Sequence, residues 1–120
     1  MKHLNKKNQF HRTRNQRNAL MFGLLSNFIL HEEIKTSAAK AKEVKNCIDR
    51  IINKSKVAED PAKKFTAVRY LDGRISKPAI KKITGEFIKN FSKRKSGYAR
   101  VIKLGARKGD GSEMAVIKFV

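Results

Sequence analysis

The residues best suited to chemistry in this sequence are basic, and they concentrate near its N-terminus. Residues 1–31 contain no acidic residue and six lysines and arginines, namely Lys2, Lys6, Lys7, Arg12, Arg14 and Arg17. A guanidinium binds phosphate through a planar fork and stacks on a splayed base, whereas an ammonium supplies a point charge. We therefore predict an RNA-binding segment that also includes His3 and His11. A solvated tail that only aids solubility is the alternative.

A second basic group lies near the C-terminus. Arg107 and Lys108 fall in the glycine-rich segment 105–111, between two stretches with strand character. A nucleotide-binding glycine loop leads from a strand into a helix, whereas a second strand follows here. We therefore expect a hairpin tip that reaches RNA phosphate, with an ordinary solvated turn as the alternative. Arg100 lies two residues after Tyr98, so we expect both on one sheet face, which also touches RNA.

No residue pattern predicts catalysis or metal binding. The three histidines are scattered, and Glu32 and Glu33 are adjacent, so in a strand they point to opposite sides. None of the ten acids has a spacing typical of an acid–base pair, and no Cys/His grouping has zinc spacing. Cys47 is expected to be a small packing residue. The sequence thus predicts no catalytic residue, metal, cofactor or small-molecule substrate.

The charge balance favours a polyanionic partner. The chain has 120 residues with 29 lysines and arginines against 10 acids, a net charge of +19. Solubility does not require so much charge, and repulsion among these charges destabilises the compact state unless a polyanion neutralises them. Hydrophobic residues make up 40% of the chain, which is enough for the core of a single domain.

The apolar run 19–30 follows the first basic residues and imitates a secretory signal. It is too short to span a membrane, Ser26 and Asn27 interrupt it, and His31-Glu32-Glu33 occupies the place of a cleavage site. The sequence therefore predicts a soluble cytoplasmic protein without a membrane partner.

Hydrophobic spacing predicts an extended basic arm over residues 1–14 and one globular domain over residues 15–120. The first predicted elements are a helix over 15–31, a brief strand, and a helix from Thr36-Ser37 to residues 54–56. A third helix starts at Pro61 after an Asp60 cap and buries Phe65, Val68 and Leu71, and a fourth follows Ser76, contains Gly85 and buries a stripe of residues up to Phe91. Two strands over 98–104 and 114–120 end the chain. Their order is α-β-α-α-α-β-β.

Several short motifs, in this order, resemble those of the bacterial large-subunit ribosomal protein family seventeen. The matching residues are Arg12-Thr13, Arg17 and Leu20, then Ile29, His31-Glu32, Ile34 and Thr36, then Ala39-Lys40-Ala41-Lys42-Glu43, and finally Gly97-Tyr98, Arg100, Ile102-Lys103-Leu104-Gly105, Arg107 and Gly109-Asp110. The resemblance implies an α/β domain of the α+β type, with four helices packed on a small mixed three-stranded sheet. It also implies binding to the large ribosomal RNA near the polypeptide exit region, with other large-subunit proteins as neighbours.

The chain departs from the family pattern at several positions. It has Phe10-His11-Arg12 where Leu-Gly-Arg is usual, Gln16-Arg17 in place of a His-Arg pair, Ala106 in place of a proline, and Lys118 in place of an acid near the end. The changes in and next to the arm bear on its path, and the loss of a proline at position 106 bears on the rigidity of the 105–111 loop. The main alternative function is a nucleoid-type DNA-binding protein, and an RNA-processing enzyme is a further one.

Overall fold

The computed structural model describes residue 10 and residues 12–120, and its elements follow the predicted order. They are α1 (Arg14–His31), β1 (Glu33–Ser37), α2 (Ala38–Val57), α3 (Lys64–Asp72), α4 (Lys77–Ile83), a short 3₁₀ helix (Glu86–Phe91), β2 (Ala99–Ala106) and β3 (Glu113–Phe119). Four α-helices and three strands confirm the predicted α+β class. α1 begins one residue before the predicted start.

The sheet has the order β1-β3-β2 and is antiparallel throughout. The prediction of a mixed sheet was wrong. In the observed register Glu33 lies opposite Lys118 and Ile34 opposite Ile117. Antiparallel pairing of β1 with β3 thus places opposite charges together on one face and apolar side chains together on the other.

Helix α2 is the centre of the domain. Its N-terminus is capped by the Ser37 hydroxyl, which accepts a hydrogen bond from the Lys40 amide at 3.4 Å. Val44, Ile48 and Ile52 repeat at helical spacing and are fully buried. This apolar face packs against all three strands, and α2 also contacts α1, α3 and the 3₁₀ helix. The remaining elements are therefore positioned by their contact with α2.

Tyr98 ties the start of β2 to α2. Its ring is fully buried, and its hydroxyl lies 2.6 Å from Oδ1 of Asn53. The Asp49 carboxylate accepts hydrogen bonds from the amides of Gly97 and Tyr98 at 3.2 and 3.3 Å. A buried tyrosine with a bonded hydroxyl fixes both the depth and the orientation of its segment.

The third helix starts later than predicted. Asp60 accepts a hydrogen bond from the Ala62 amide at 3.0 Å, which makes a local turn, and the helix begins only at Lys64. Phe65 was expected in the core but is 71% exposed, and the Arg69 guanidinium lies 4.5 Å from its ring centre. Because the first turn of the predicted helix is lost, its buried residues are Ala67 and Leu71.

The predicted fourth helix is divided at Gly85. α4 ends at Ile83, and the 3₁₀ helix carries Ile88 and Phe91 into the core. A Cβ on Gly85 would lie 3.2 Å from the carbonyl oxygen of Lys81, so the tight change of direction suits glycine. Ser76 occupies the cap position of α4 as predicted, but its side chain makes no capping hydrogen bond.

We predict that Ile48→Ala lowers the free energy of unfolding by about 2–5 kcal/mol, because it removes a fully buried side chain from the central helix. Ile102→Ala is the matched control, since Ile102 is 40% exposed, and its effect should stay within about 0.5 kcal/mol. Urea denaturation of both variants measures the difference. Equal effects would contradict the central role of α2.

Candidate nucleic-acid interface

Most of the positive charge of the described residues is not neutralised within the protein. Among the described side chains, which are those of residue 10 and residues 12–120 apart from Glu86, only two ion pairs form, Lys82 with Glu32 at 3.4 Å and Arg107 with Asp110. Arg107, Asp110 and Glu32 are exposed and Lys82 is half-buried, and pairs this accessible to solvent stabilise a protein little. The surface therefore retains a strong positive potential for an anionic partner.

The helix N-termini add to this potential. None of the four α-helices has an acid in its first turn, and α1, α3 and α4 begin with Arg14, Lys64 and Lys77. A helix N-terminus already carries partial positive charge and is stabilised by nearby acids, so basic residues there oppose folding of the isolated chain. The same arrangement attracts phosphate.

Four arginines converge on one cleft of about 620 Å³ between α1, α2 and the C-terminal end of α3. We call it the arginine cleft. Arg14 and Arg17 reach it from α1, Arg50 from α2 and Arg74 from the turn after α3. Sequence analysis predicted Arg14 and Arg17 but missed Arg50 and Arg74. Arg50 and Arg74 are far in sequence from Arg14 and Arg17 and share no sequence motif with them. Only the packing of three helices brings the four arginines together.

The arginine cleft also has an apolar and aromatic wall. Met21, Phe22, Leu25 and Tyr70 line it. The Arg74 guanidinium lies 3.9 Å from the centre of the Tyr70 ring and donates a hydrogen bond to the Tyr70 carbonyl at 2.8 Å. This arginine is therefore stacked on the tyrosine and held in place without a ligand.

Cys47 and Glu43 lie on the α2 side of the same cleft. Cys47 is half-buried, in agreement with its predicted packing role. Burial raises the pKa of its thiol, the Glu43 carboxylate raises the pKa further, and Arg50 lowers it. The thiol is thus protonated near neutral pH, and its reactivity reports on the cleft.

Residues at the start of α1 are ordered by local hydrogen bonds. The Thr13 hydroxyl accepts from the Gln16 amide at 3.3 Å, and the Gln16 side chain accepts from the Thr13 amide at 3.1 Å. Arg12 donates to the Phe10 carbonyl at 2.7 Å. The predicted binding residues Lys2, His3, Lys6, Lys7 and His11 lie outside the described residues.

The predicted RNA-binding residues near the C-terminus fall in two places, with Arg107 and Lys108 in a turn and Arg100 on β2. Arg107 and Lys108 lie in the exposed turn between β2 and β3, where Arg107 forms two hydrogen bonds with the Asp110 carboxylate. Arg107 is thus paired within the turn, whereas Lys108 is exposed at its tip.

Arg100 is exposed on β2, but the expectation that it shares a face with Tyr98 was wrong. Tyr98 precedes β2, and its ring turns into the core against α2 and Phe91. The face opposite α2, which we call the outer sheet face, carries Arg100 beside Lys118 in one cross-strand row and Ile102 beside Val116 in the next.

Within the part of the chain that the structure describes, no group of three or more His, Cys, Asp or Glu residues could hold a metal ion. No helix there is long and apolar enough to cross a membrane. The cleft presents cationic side chains, an aromatic ring and apolar surface, and the outer sheet face presents cationic and apolar side chains. Groups of these kinds bind phosphates and bases.

A small, strongly basic α+β domain with these surfaces is typical of the structural proteins of ribonucleoprotein particles. The family described as Ribosomal protein L17 matches residues 20–120. A large ribosomal subunit protein bL17 of Thermodesulfovibrio yellowstonii is 40% identical over 120 residues, 100% of this chain and 87% of that protein. The bL17 of Shouchella clausii is 35% identical over 113 residues, 91% of this chain and 94% of that protein. The bL17 of Staphylococcus epidermidis is 35% identical over 115 residues, 91% of this chain and 94% of that protein.

The chain therefore belongs to the ribosomal protein L17 family. It is a structural, non-enzymatic protein of the large ribosomal subunit and acts in translation as part of a ribonucleoprotein in the bacterial cytoplasm. The family predicted from the sequence motifs is confirmed.

The two charged neighbours of Cys47, Glu43 and Arg50, shift its thiol pKa in opposite directions, so replacing each of them tests the geometry of the cleft. At pH 8, we predict that Glu43→Gln speeds alkylation of Cys47 by N-ethylmaleimide, because it removes a charge that raises the thiol pKa. Arg50→Gln should slow it, because Arg50 lowers that pKa. Rates are followed by mass spectrometry, with the denatured proteins as controls. The opposite order of rates would show that these side chains do not face Cys47 as described.

Proposed function

We propose that this protein binds and braces the large ribosomal RNA near the polypeptide exit region, with other large-subunit proteins as neighbours. The observation that carries the proposal is the convergence of Arg14, Arg17, Arg50 and Arg74 on one cleft, in which Glu43 is the only acid among the described lining residues. Like charges are brought together at a cost in free energy, which a polyanion offsets when it binds. The exit-region position rests on the resemblance of the sequence motifs.

The mechanism is neutralisation of phosphate by a rigid platform. Each phosphate that a lysine or arginine neutralises releases counterions, and this release drives binding without a base sequence being read. Both α1 and α3 pack against α2, so the arginines meet the RNA already positioned. The basic arm over residues 1–14 adds contacts that can follow an irregular groove.

The outer sheet face supports a second contact. Lys118 stands in place of an acid of the family pattern, and it lies between Glu33 of β1 and Arg100 of β2, so this cross-strand row has two cations and one acid. Beside them Ile102 and Leu104 are 40% and 49% exposed. The basic row suits RNA phosphate, and the exposed apolar side chains suit the edge of a neighbouring protein.

The remaining predicted contacts complete the proposal. Lys2, His3, Lys6, Lys7, His11 and Arg12 would bind RNA from the arm, Arg14 and Arg17 from the first turns of α1, Arg100 from β2, and Arg107 and Lys108 from the hairpin turn. The DNA-binding and RNA-processing alternatives lose their basis, because the chain belongs to a family of structural ribosomal proteins.

The salt dependence of binding tests the mechanism. We predict that replacing Arg12, Arg14 and Arg17 together by alanine reduces the slope of log affinity against log salt by about 2–3, since each lost phosphate contact contributes about 0.7–0.9. Filter binding with deproteinised large-subunit RNA measures the slope, with duplex DNA as competitor. Binding by the unaltered protein that is insensitive to salt would contradict the proposal.

Assembly is tested with the same triple variant. We predict a loss of incorporation into large subunits with little change in stability, because Arg12 and Arg14 are exposed and Arg17 is only half-buried. Large subunits from a sucrose gradient are analysed by quantitative mass spectrometry. A variant with alanine at Lys45, Lys63 and Lys89, which are also exposed and do not line the cleft, loses the same charge and serves as control. Equal incorporation of the two variants would rule out a special role for the arm and the start of α1.

A further inference from the structure

We propose that the arginine cleft holds a single unstacked nucleotide of the ribosomal RNA, with its phosphate on the arginines and its base against the apolar and aromatic wall. The inference rests on the proposed function, because it assumes that the protein binds ribosomal RNA. It goes further by assigning one cleft of the protein to one flipped-out nucleotide.

The size and shape of the cleft fit such a ligand. Its volume of about 620 Å³ lies within the range of about 300–1,000 Å³ that is usual for small-molecule sites. A stretch of double helix does not enter a cleft of this size, whereas a base turned out of its stack does.

The chemistry of the walls also distinguishes a nucleotide from a bare phosphate chain. Phosphate recognition needs only cations, yet Met21, Phe22, Leu25 and Ile51 line the cleft together with the arginines. This apolar wall suits the flat face of a base. Proteins that bind unpaired RNA combine basic grooves with stacking surfaces in this way.

The stacked pair of Tyr70 and Arg74 supplies a ready platform. One face of the Arg74 guanidinium covers the Tyr70 ring at 3.9 Å, and the hydrogen bond to the Tyr70 carbonyl fixes its orientation. Arg74 is exposed to solvent, so it can stack against a base while its remaining N–H groups donate to phosphate.

Glu43 limits the ligand to one nucleotide. Of the lining residues that the structure describes, it is the only acid, and it lies on the α2 side near Cys47 and Arg50. A carboxylate repels a second phosphate but accepts a hydrogen bond from an N–H group on the edge of a base. An acidic side chain of a neighbouring protein would satisfy the arginines, but it would leave the apolar wall uncovered.

Gly73 allows the cleft to be narrowed without any change in charge. It lines the cleft, and a Cβ built on it meets no heavy atom within 4 Å. Its φ of −89° suits any residue, so Gly73→Leu introduces bulk without backbone strain. Gly23 is the matched control, because its Cβ also meets nothing within 4 Å and it does not line the cleft.

The experiment combines these variants with Cys47 as a reporter. The full-length protein is incubated with deproteinised large-subunit RNA, and alkylation of Cys47 by N-ethylmaleimide is followed at pH 8.5. We expect the RNA to protect Cys47 in the unaltered protein. Gly73→Leu should lower RNA affinity about 5- to 100-fold, as the loss of one base stack does, with the salt slope unchanged. Gly23→Leu should bind like the unaltered protein.

Two results would overturn the inference and leave the proposed function in place. In the first, RNA binds with a steep salt dependence, but Cys47 stays reactive and Gly73→Leu binds normally. In the second, Cys47 is protected in intact large subunits and not by RNA alone, which assigns the cleft to a neighbouring protein. Absence of any RNA binding would overturn the proposed function as well. The protection of Cys47 is read in the unaltered protein, so it does not depend on the folding of a variant.

Discussion

The burial of one face of α2 is the interaction on which the rest of the structure depends. Val44, Ile48 and Ile52 are fully buried, and the same helix contacts the three strands and most of the other helices. The four arginines of the cleft come from three parts of this arrangement, which are α1, α2 and the turn after α3. If α2 were displaced, Arg50 would move away from Arg14 and Arg17, and the cleft would lose both its shape and its concentration of charge.

The domain gives up electrostatic stability in order to hold this charge. Acids are absent from the first turn of all four α-helices, and cations occupy several of those turns, where the helix dipole disfavours them. Arg100 and Lys118 are cross-strand neighbours, and only Glu33 on the other side of Lys118 offsets their charge in that row. The free energy gained by burying apolar side chains must therefore exceed the repulsion among these positive charges, and binding of a polyanion removes that repulsion. Stability and function are coupled through the same charges.

Sequence reasoning predicted those features that depend on regular spacing. The order of the elements, the buried stripe of α2 and the exposed arginines of α1 all follow from periodicity. It failed where a local interaction overrides the pattern. Asp60 closes a turn and delays α3, and Gly85 divides the stripe that carries Ile83 and Phe91. The direction of β1 and the convergence of Arg50 with Arg74 could not be predicted, because they depend on contacts between segments that are distant in the chain.

Two of the places at which this chain departs from its family pattern are supported by local hydrogen bonds. Gln16, in place of a histidine, completes a capping box with Thr13 and so stabilises the start of α1. The segment after Ala106, where a proline is usual, is held by the Asp110 carboxylate, which accepts hydrogen bonds from Arg107 and from the Ser112 amide. These bonds hold the pKa of Asp110 well below its usual range. A proline would stabilise this turn by restricting the unfolded chain. Here hydrogen bonds in the folded state hold the turn instead, and they keep Lys108 at a defined position at its tip.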